Sequence, residues 1–164
     1  MDRISQEQRS WTMSQVRGKN TRPEMLVRRA AHALGLRFRL HRDDLPGTPD
    51  LVFPKHNVAL FVHGCFWHRH SGCKRASMPK TRKIYWTAKF KRNAERDSRV
   101  VTQTKAIGWR PVIVWECETK DADKLARILR ARVPLEQNIT RRLRPRRRVL
   151  KRAPLPVPEP SPKP

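Results

Sequence analysis

Acidic residues are scarce in this sequence: 14 Asp and Glu stand against 38 Lys and Arg, which gives a formal net charge of +24. An excess of this size is unusual for a soluble enzyme that acts on small molecules. It predicts a polyanionic partner, most simply nucleic acid. A basic surface that is only solvated, or one that meets anionic lipid, is the alternative.

Long apolar runs are also missing. No segment approaches the roughly 20 residues that a membrane-spanning helix needs. The N-terminal sequence MDRISQEQRS lacks the apolar region of a secretory signal peptide. These two absences predict an intracellular protein.

Cysteine is rare, with only Cys65, Cys73 and Cys117 in the chain. An odd count in an intracellular protein argues against a disulfide framework and favours a metal site or free thiols. Internal repeats are absent, and so is the GxGxxG pattern of a dinucleotide-binding fold. Three short strands interleaved with helices predict a small α/β domain, which is too short for a doubly wound sheet.

A first helix is predicted after residue 20. The segment Thr21-Arg22-Pro23-Glu24 is typical of a capping box, with Thr21 as N-cap and Glu24 reaching back to it. Glu24 is also a candidate for a catalytic site, although its role as a cap is favoured. Gly35 is expected to end the helix. The apolar residues at helical spacing are Leu26, Ala30, Ala33 and Leu34.

Short apolar runs at Leu51 to Phe53 and Val58 to Val62 predict two strands. The tetrapeptide PKHN between them predicts a hairpin turn. A second helix, a third strand and a last helix are predicted at residues 84–107, 111–115 and 121–133, respectively.

Three regions are expected along the chain: a polar and basic N-terminal arm at 1–20, the folded domain at 21–135 and a tail at 136–164. Residues 141–164 hold nine basic residues, one Glu and seven of the 14 prolines. Such a composition cannot build a core and predicts disorder. Residues 1–140 retain the larger part of the positive charge, so the folded part is basic as well.

The segment HGCFWHRHSGC, residues 63–73, concentrates histidine, cysteine and aromatic residues. Zinc prefers four tetrahedral Cys or His ligands. Cys65, His70 and Cys73 are close enough in sequence to surround one ion. Cys117 follows the third strand, and it becomes the fourth ligand if that strand pairs beside Val58 to Val62. His63 and His68 compete with His70 for this role, and buried free thiols are the alternative.

A second constellation predicts hydrolysis of a phosphodiester. Asp50 stands at the entry to a strand and is a candidate Mg²⁺ ligand, with the backbone carbonyl of Val62 beside it. His68 is the candidate general base, and Asp97 would orient its imidazole. His63 would stabilise charge or protonate the leaving oxygen. Each residue also has an ordinary interpretation: a turn aspartate, a helix ion pair or a structural histidine.

Five stretches of the sequence resemble a known family in their content and order. They are RSWTMSQVRGKNTRPE, LPGTPDLVF, HGCFWHRHSGC, TRKIYWTAKFKRNAERD and GWRPVIVWEC. Together they resemble the very short patch repair (Vsr) mismatch endonucleases, from about Trp11 to Cys117. The combined match is specific, whereas no single stretch is.

The resemblance implies a restriction-endonuclease-like α/β core, in which helices flank a small mixed sheet and a structural zinc is bound. It also implies a Mg²⁺-dependent enzyme that nicks DNA 5′ of the thymine in T:G mismatches, which arise when 5-methylcytosine deaminates. The expected enzyme is a cytoplasmic, nucleoid-associated bacterial monomer, with mismatched duplex DNA and mismatch-repair proteins as partners.

The resemblance also assigns roles residue by residue. Asp50, His63, His68 and Asp97 are the implied catalytic residues, and Asp50 with the Val62 carbonyl holds Mg²⁺. The implied zinc ligands are Cys65, His70, Cys73 and Cys117. The implied DNA contacts are an aromatic wedge of Phe66, Trp67 and Trp86, together with Met13 and Val16 on an N-terminal helix in the minor groove.

This chain departs from the family pattern at three places. Val62 stands where a threonine is usual, RHSG replaces a histidine-rich run without glycine, and the tail after residue 141 has no counterpart. The acidic-x-Lys pattern of many restriction nucleases is missing from this chain, as it is from the family. Two alternatives remain: a non-catalytic zinc-containing DNA-binding module, and a nuclease of the same fold with another DNA target.

Overall fold

The computed structural model describes residues 18–134 together with Ser5, Glu7, Gln8 and Trp11. Met13, Val16 and the tail after residue 134 lie outside the described residues. Between residues 18 and 134 the chain forms three α-helices: α1 (Arg22–Ala33), α2 (Lys83–Ala106) and α3 (Ala122–Arg132). No helix among the described residues is long and apolar enough to cross a membrane.

The sheet has four strands in the order β1-β2-β3-β4: β1 (Arg39–Leu40), β2 (Leu51–Phe53), β3 (Val58–His63) and β4 (Arg110–Trp115). β2 and β3 form the predicted antiparallel hairpin. β3 and β4 are parallel neighbours, and α2 lies between them in the chain. This arrangement confirms an α/β fold with a small mixed sheet flanked by helices.

Side-chain alternation gives the sheet two buried faces. Residues at every second position, such as Leu60 and Val114, join a core with α1 and α3. The residues between them, including Phe61 and Ile113, face the opposite side, where they line one cleft with Val100 of α2. The short apolar runs of β2 and β3 reflect burial on both sides.

Helix α1 begins as predicted but buries a different face. Val27 and Ala31 are fully buried, whereas Ala33, which was predicted to share the apolar face, is exposed. Leu26, Ala30 and Leu34 only flank the core. The apolar stripe is wide, and the position of α3 decides which part of it is fully covered. Gly35 follows the helix at a φ of +71°, a conformation that glycine adopts without strain.

The start of α1 differs from a standard capping box. Thr21 is the N-cap residue, but its side chain caps no backbone amide. Its hydroxyl instead donates to Oε1 of Glu24 (2.7 Å), and Oε2 of Glu24 accepts the amide N–H of Asn20 (2.8 Å). Arg28 lies 3.3 Å from the same carboxylate. Glu24 therefore caps the helix, but through Asn20 rather than through the Thr21 amide.

Candidate functional site: two clusters at the ends of β3 and β4

The parallel pairing of β3 and β4 brings two distant parts of the chain to one edge of the sheet. His63 pairs in register with Trp115, the last residue of β4. Cys65 and Cys117 each follow two residues later. The expectation that Cys117 would meet the 63–73 segment, if its strand paired beside β3, is confirmed.

Cys65, His70, Cys73 and Cys117 form one cluster, in which one potential ligand atom from each residue lies within 4.8 Å of all the others. Nδ1 of His70 is 3.6 Å from Sγ of Cys65 and 3.3 Å from Sγ of Cys117. Tetrahedral bonds of the usual Zn–S and Zn–N lengths would separate S and N by about 3.5 Å. The donor set and its spacing therefore fit a zinc ion.

The surroundings of this cluster hold it in place. The His70 ring stacks on Trp115 with centroids 4.1 Å apart. Glu116 accepts the amide N–H of Cys65 (3.4 Å) and forms an ion pair with Arg75. Burial raises the pKa of the Cys65 thiol to about 12, because the thiolate loses its hydration. A bound divalent cation would offset this, since coordinating thiols are deprotonated.

His63, His68 and Asp97 form a second cluster, within 4.8 Å of one another. Nδ1 of His68 lies 2.5 Å from Oδ2 of Asp97. A hydrogen bond at this position requires the proton on Nδ1, so Nε2 of His68 is left as an acceptor. Asp97 also lies 3.5 Å from Arg96, but its shorter contact is with His68.

The two imidazoles of this cluster stack face to face. The rings of His63 and His68 have centroids 3.8 Å apart and an interplanar angle of 15°. Burial, the largest cause, and the neighbouring His68 together lower the pKa of His63 to about 4. With this pKa His63 is neutral near pH 7, so it can offer a hydrogen bond but no positive charge.

Asp50 lies beside the end of β3 because β2 and β3 are antiparallel. Its Oδ2 accepts the amide N–H of Val62 (2.7 Å). The pKa of Asp50 is raised to about 6, mainly by burial and also by the charge of Glu24, while the hydrogen bond from the Val62 amide acts in the opposite direction. A carboxylate in this environment favours a nearby cation. The contact between residues 50 and 62 uses the Val62 amide, so the predicted role of the Val62 carbonyl stays a prediction.

A cleft of about 340 Å³ joins these groups. Asp50, His63, His68 and Asp97, the four residues predicted to be catalytic, all line it together with Val62. Two basic residues that the sequence did not single out, Lys19 and Arg96, line it as well. The only signal for Arg96 was its position next to Asp97, and Lys19 had none.

The aromatic residues predicted to form a wedge pack against one another beside the cysteine cluster. The Phe66 ring lies 5.2 Å from that of Trp67, 5.4 Å from Trp86 and 5.3 Å from Phe90. Phe66 and Trp67 are half-buried, but Trp86 is only 6% exposed. A contact of Trp86 with a ligand would require it to leave this packing. Nζ of Lys89 lies 5.4 Å from the Trp67 ring and adds positive charge at the aromatic surface.

Comparisons with known proteins agree on one class of enzyme. Residues 1–75 match the family model described as DNA mismatch endonuclease Vsr. The type II nicking enzyme V.XorIIP of Xanthomonas oryzae pv. oryzae is 54% identical over 129 residues, which cover 79% of this chain and 94% of that protein. The DNA mismatch endonuclease Vsr of Escherichia coli (strain K12) is 41% identical over 108 residues, 64% of this chain and 69% of that protein.

A third relative, the type II nicking enzyme V.NmeAIP of Neisseria meningitidis, is 36% identical over 133 residues, 79% of this chain and 94% of that protein. These similarities define a class of strand-nicking enzymes. The chain belongs to the Vsr family of DNA endonucleases. It is therefore an enzyme that nicks DNA, and the alternative of a non-catalytic DNA-binding module is wrong.

Proposed function

We propose that this endonuclease nicks duplex DNA on the 5′ side of the thymine in a T:G mismatch, in a Mg²⁺-dependent reaction. The observation that carries the catalytic part is the convergence of Asp50, His63, His68 and Asp97 on one cleft. The mismatch specificity is supported by similarity to the Vsr enzyme of Escherichia coli, whose name describes a DNA mismatch endonuclease.

In this proposal each group of the cleft has one task. His68 accepts a proton from the attacking water at Nε2, and the Asp97 carboxylate stabilises the resulting imidazolium through Nδ1. As the water oxygen bonds to phosphorus, the P–O bond to the leaving oxygen breaks and that oxygen takes a proton from solvent. The neutral His63 donates a hydrogen bond to a phosphate oxygen. Asp50 would hold Mg²⁺, with the Val62 carbonyl as a second ligand. When bound, this ion supplies charge neutralisation at the phosphate.

Arg96 and Lys19 add positive charge to the wall of the cleft and would attract the DNA backbone. The half-buried Phe66 and Trp67 are proposed to enter the base stack beside the mismatch, with Trp86 following if its packing opens. Inserting side chains between bases costs a few kcal/mol per step, and less at a mismatched pair. Met13 and Val16, in an N-terminal arm at 1–20, are proposed to contact the minor groove.

The cysteine cluster is proposed to bind a structural zinc through Cys65, His70, Cys73 and Cys117. Four protein ligands leave no open position, so this ion would support the loop rather than the chemistry. The loop between Cys65 and Cys73 carries His68 and two residues of the wedge, Phe66 and Trp67. Zinc would thus stabilise the proposed general base and this part of the wedge together.

A second candidate function is nicking at a site that is not defined by a mismatch. It is favoured by the 54% identity to an enzyme named only as a type II nicking enzyme. The cleft residues would act on the phosphodiester in the same way in either case. Only the DNA that is selected would differ.

A nicking assay on end-labelled duplexes separates the two candidates. The duplexes would differ in one pair only, T:G against C:G, placed in several methyltransferase-site contexts, with Mg²⁺ added or omitted. Mg²⁺ would be omitted rather than chelated, because a chelator would also remove zinc. Zinc content would be measured in both arms to show that it is unchanged. A Mg²⁺-dependent nick 5′ of the mismatched T supports the proposal. Equal nicking of T:G and C:G duplexes would reject mismatch specificity, and nicking without Mg²⁺ would reject the metal requirement.

A further inference from the structure

Two consecutive turns of helix α2 hold two consecutive residues of the 65–73 loop. Nδ2 of Asn93 donates a hydrogen bond to the carbonyl oxygen of Trp67 (2.9 Å). One turn later, Oδ2 of Asp97 lies 2.5 Å from Nδ1 of His68. Residues 93 and 97 lie on the same face of the helix because they are four positions apart.

These contacts fix a short segment at which two proposed functions meet. Trp67 belongs to the proposed wedge, and His68 is the proposed base. The amide N–H of His68 also donates to the carbonyl of Gly64 (3.1 Å). The loop backbone around His68 is thus held from inside the loop and, through Asn93, from the helix.

Apart from the Asn93 contact, helix α2 meets the Trp67–His68 step through side chains: Asp97 at the His68 ring, and Trp86 and Lys89 at the Trp67 ring. An imidazole can rotate about its χ angles, and a single hydrogen bond fixes its ring only if its backbone is fixed as well. A backbone shift of about 1 Å at a catalytic group can lower a rate about a hundredfold. The position of the loop backbone is therefore part of the catalytic geometry.

We infer that Asn93 is a positioning residue that fixes the Trp67–His68 step to helix α2. Trp67 and His68, the proposed general base, would then move as one unit. This inference rests on the proposed role of His68. It gives Asn93 a task that involves no contact with the DNA. A movement of Trp67 on insertion between DNA bases would then also move His68, the proposed general base.

The test compares Asn93→Ala and Asn93→Asp with the wild type on a T:G duplex. Both variants lose the N–H donor, while Asn93→Asp keeps the side-chain shape. Thr102→Ala and Thr102→Asp are matched controls, because Thr102 is exposed on the same helix. The dissociation constant of the duplex and the single-turnover nicking rate at saturating enzyme would be measured separately.

We expect both Asn93 variants to lower the single-turnover rate by about tenfold to a hundredfold, with a dissociation constant close to that of the matched control. A role in packing alone would leave Asn93→Asp close to its control, which would overturn the inference. A loss of affinity with an unchanged rate would also overturn it, because Asn93 would then contact the DNA itself.

An NMR measurement on the free protein provides a readout that does not need activity. The His68 Nδ1 proton, bonded to Asp97, should give a resolved downfield imidazole resonance in the wild type. That resonance should broaden or shift in both Asn93 variants and persist in the Thr102 controls. An unchanged resonance would reject the inference. If the wild type nicks T:G and C:G duplexes equally, mismatch specificity fails, but the same rate comparison on the C:G duplex still tests Asn93.

Discussion

At the scale of single residues, the central contact is the one between His68 and Asp97. It joins residues 29 positions apart and selects the tautomer with a free Nε2. The sequence indicated both residues, but it left open whether Asp97 paired with neighbouring arginines. The geometry places Asp97 on the imidazole, where a carboxylate supports a general base.

Replacing Asp97 with Asn tests this contact directly. The amide cannot stabilise the imidazolium as a carboxylate does, and it favours the other tautomer of His68. We expect the single-turnover nicking rate to fall by roughly 10²- to 10⁴-fold, with little change in DNA affinity. Asp123→Asn is the control, because Asp123 is an exposed carboxylate on α3. An Asp97→Asn enzyme as fast as this control would show that the carboxylate has no role in the reaction.

At the scale of elements, the parallel pair β3 and β4 creates both clusters. The strand that ends in His63 continues directly into the 65–73 loop, and its partner ends beside Cys117. The cysteine cluster therefore connects the loop to the sheet across 52 residues of sequence. Its contribution to stability should be large, since the loop contains only turns between His63 and α2.

Replacing Cys73 with Ser should abolish zinc binding, since an alcohol is a poor zinc ligand. We expect the free energy of unfolding to fall by at least roughly 3 kcal/mol, a fraction of the about 10–16 kcal/mol that Zn²⁺ contributes in zinc-finger peptides. Zinc content by elemental analysis and urea unfolding would measure both effects. Ser77→Ala, an exposed position in the same region, is the control. A Cys73→Ser protein with one zinc and wild-type stability would contradict the assignment of this ligand.

The sequence predicted the elements that depend on local pattern. The hairpin, the third strand and the long helix follow from apolar runs and from the absence of Gly and Pro between residues 84 and 107, whereas the parallel pairing of the third strand is a tertiary feature. β1 was missed because the strand comprises only Arg39 and Leu40, and both residues are exposed. The burial of Trp86 and the contact of Asn93 with Trp67 depend on tertiary packing between segments far apart in sequence. No local pattern encodes such contacts.

At the scale of the whole molecule, charge determines how the enzyme meets its substrate. The net charge of +24 includes nine basic residues after position 140. Lys and Arg near a duplex release counterions, so affinity falls steeply with salt. The cysteine cluster, the His63–His68–Asp97 cluster and Asp50 all lie before residue 118.

Removal of residues 141–164 should therefore weaken DNA binding without affecting the chemistry. We expect the plot of log affinity against log salt to become shallower by roughly 0.9 for each phosphate that the tail neutralises in the full-length enzyme. The single-turnover rate at saturating enzyme should remain unchanged. Fluorescence anisotropy at several salt concentrations, combined with nicking assays, would measure both. A truncated enzyme that binds the duplex but cannot nick it would refute this division of roles.

The measurement that tests the central claim most directly is the nicking of a T:G duplex by Asp50→Ala beside the wild type, with Asp43→Ala as an exposed control. If Asp50 holds the metal of the reaction, the loss should amount to several kcal/mol in the barrier, a factor of about 10³ or more. Nicking 5′ of the mismatched thymine by the wild type and the control, but not by Asp50→Ala, is the predicted result. An Asp50→Ala enzyme that nicks at the wild-type rate would contradict the proposed site.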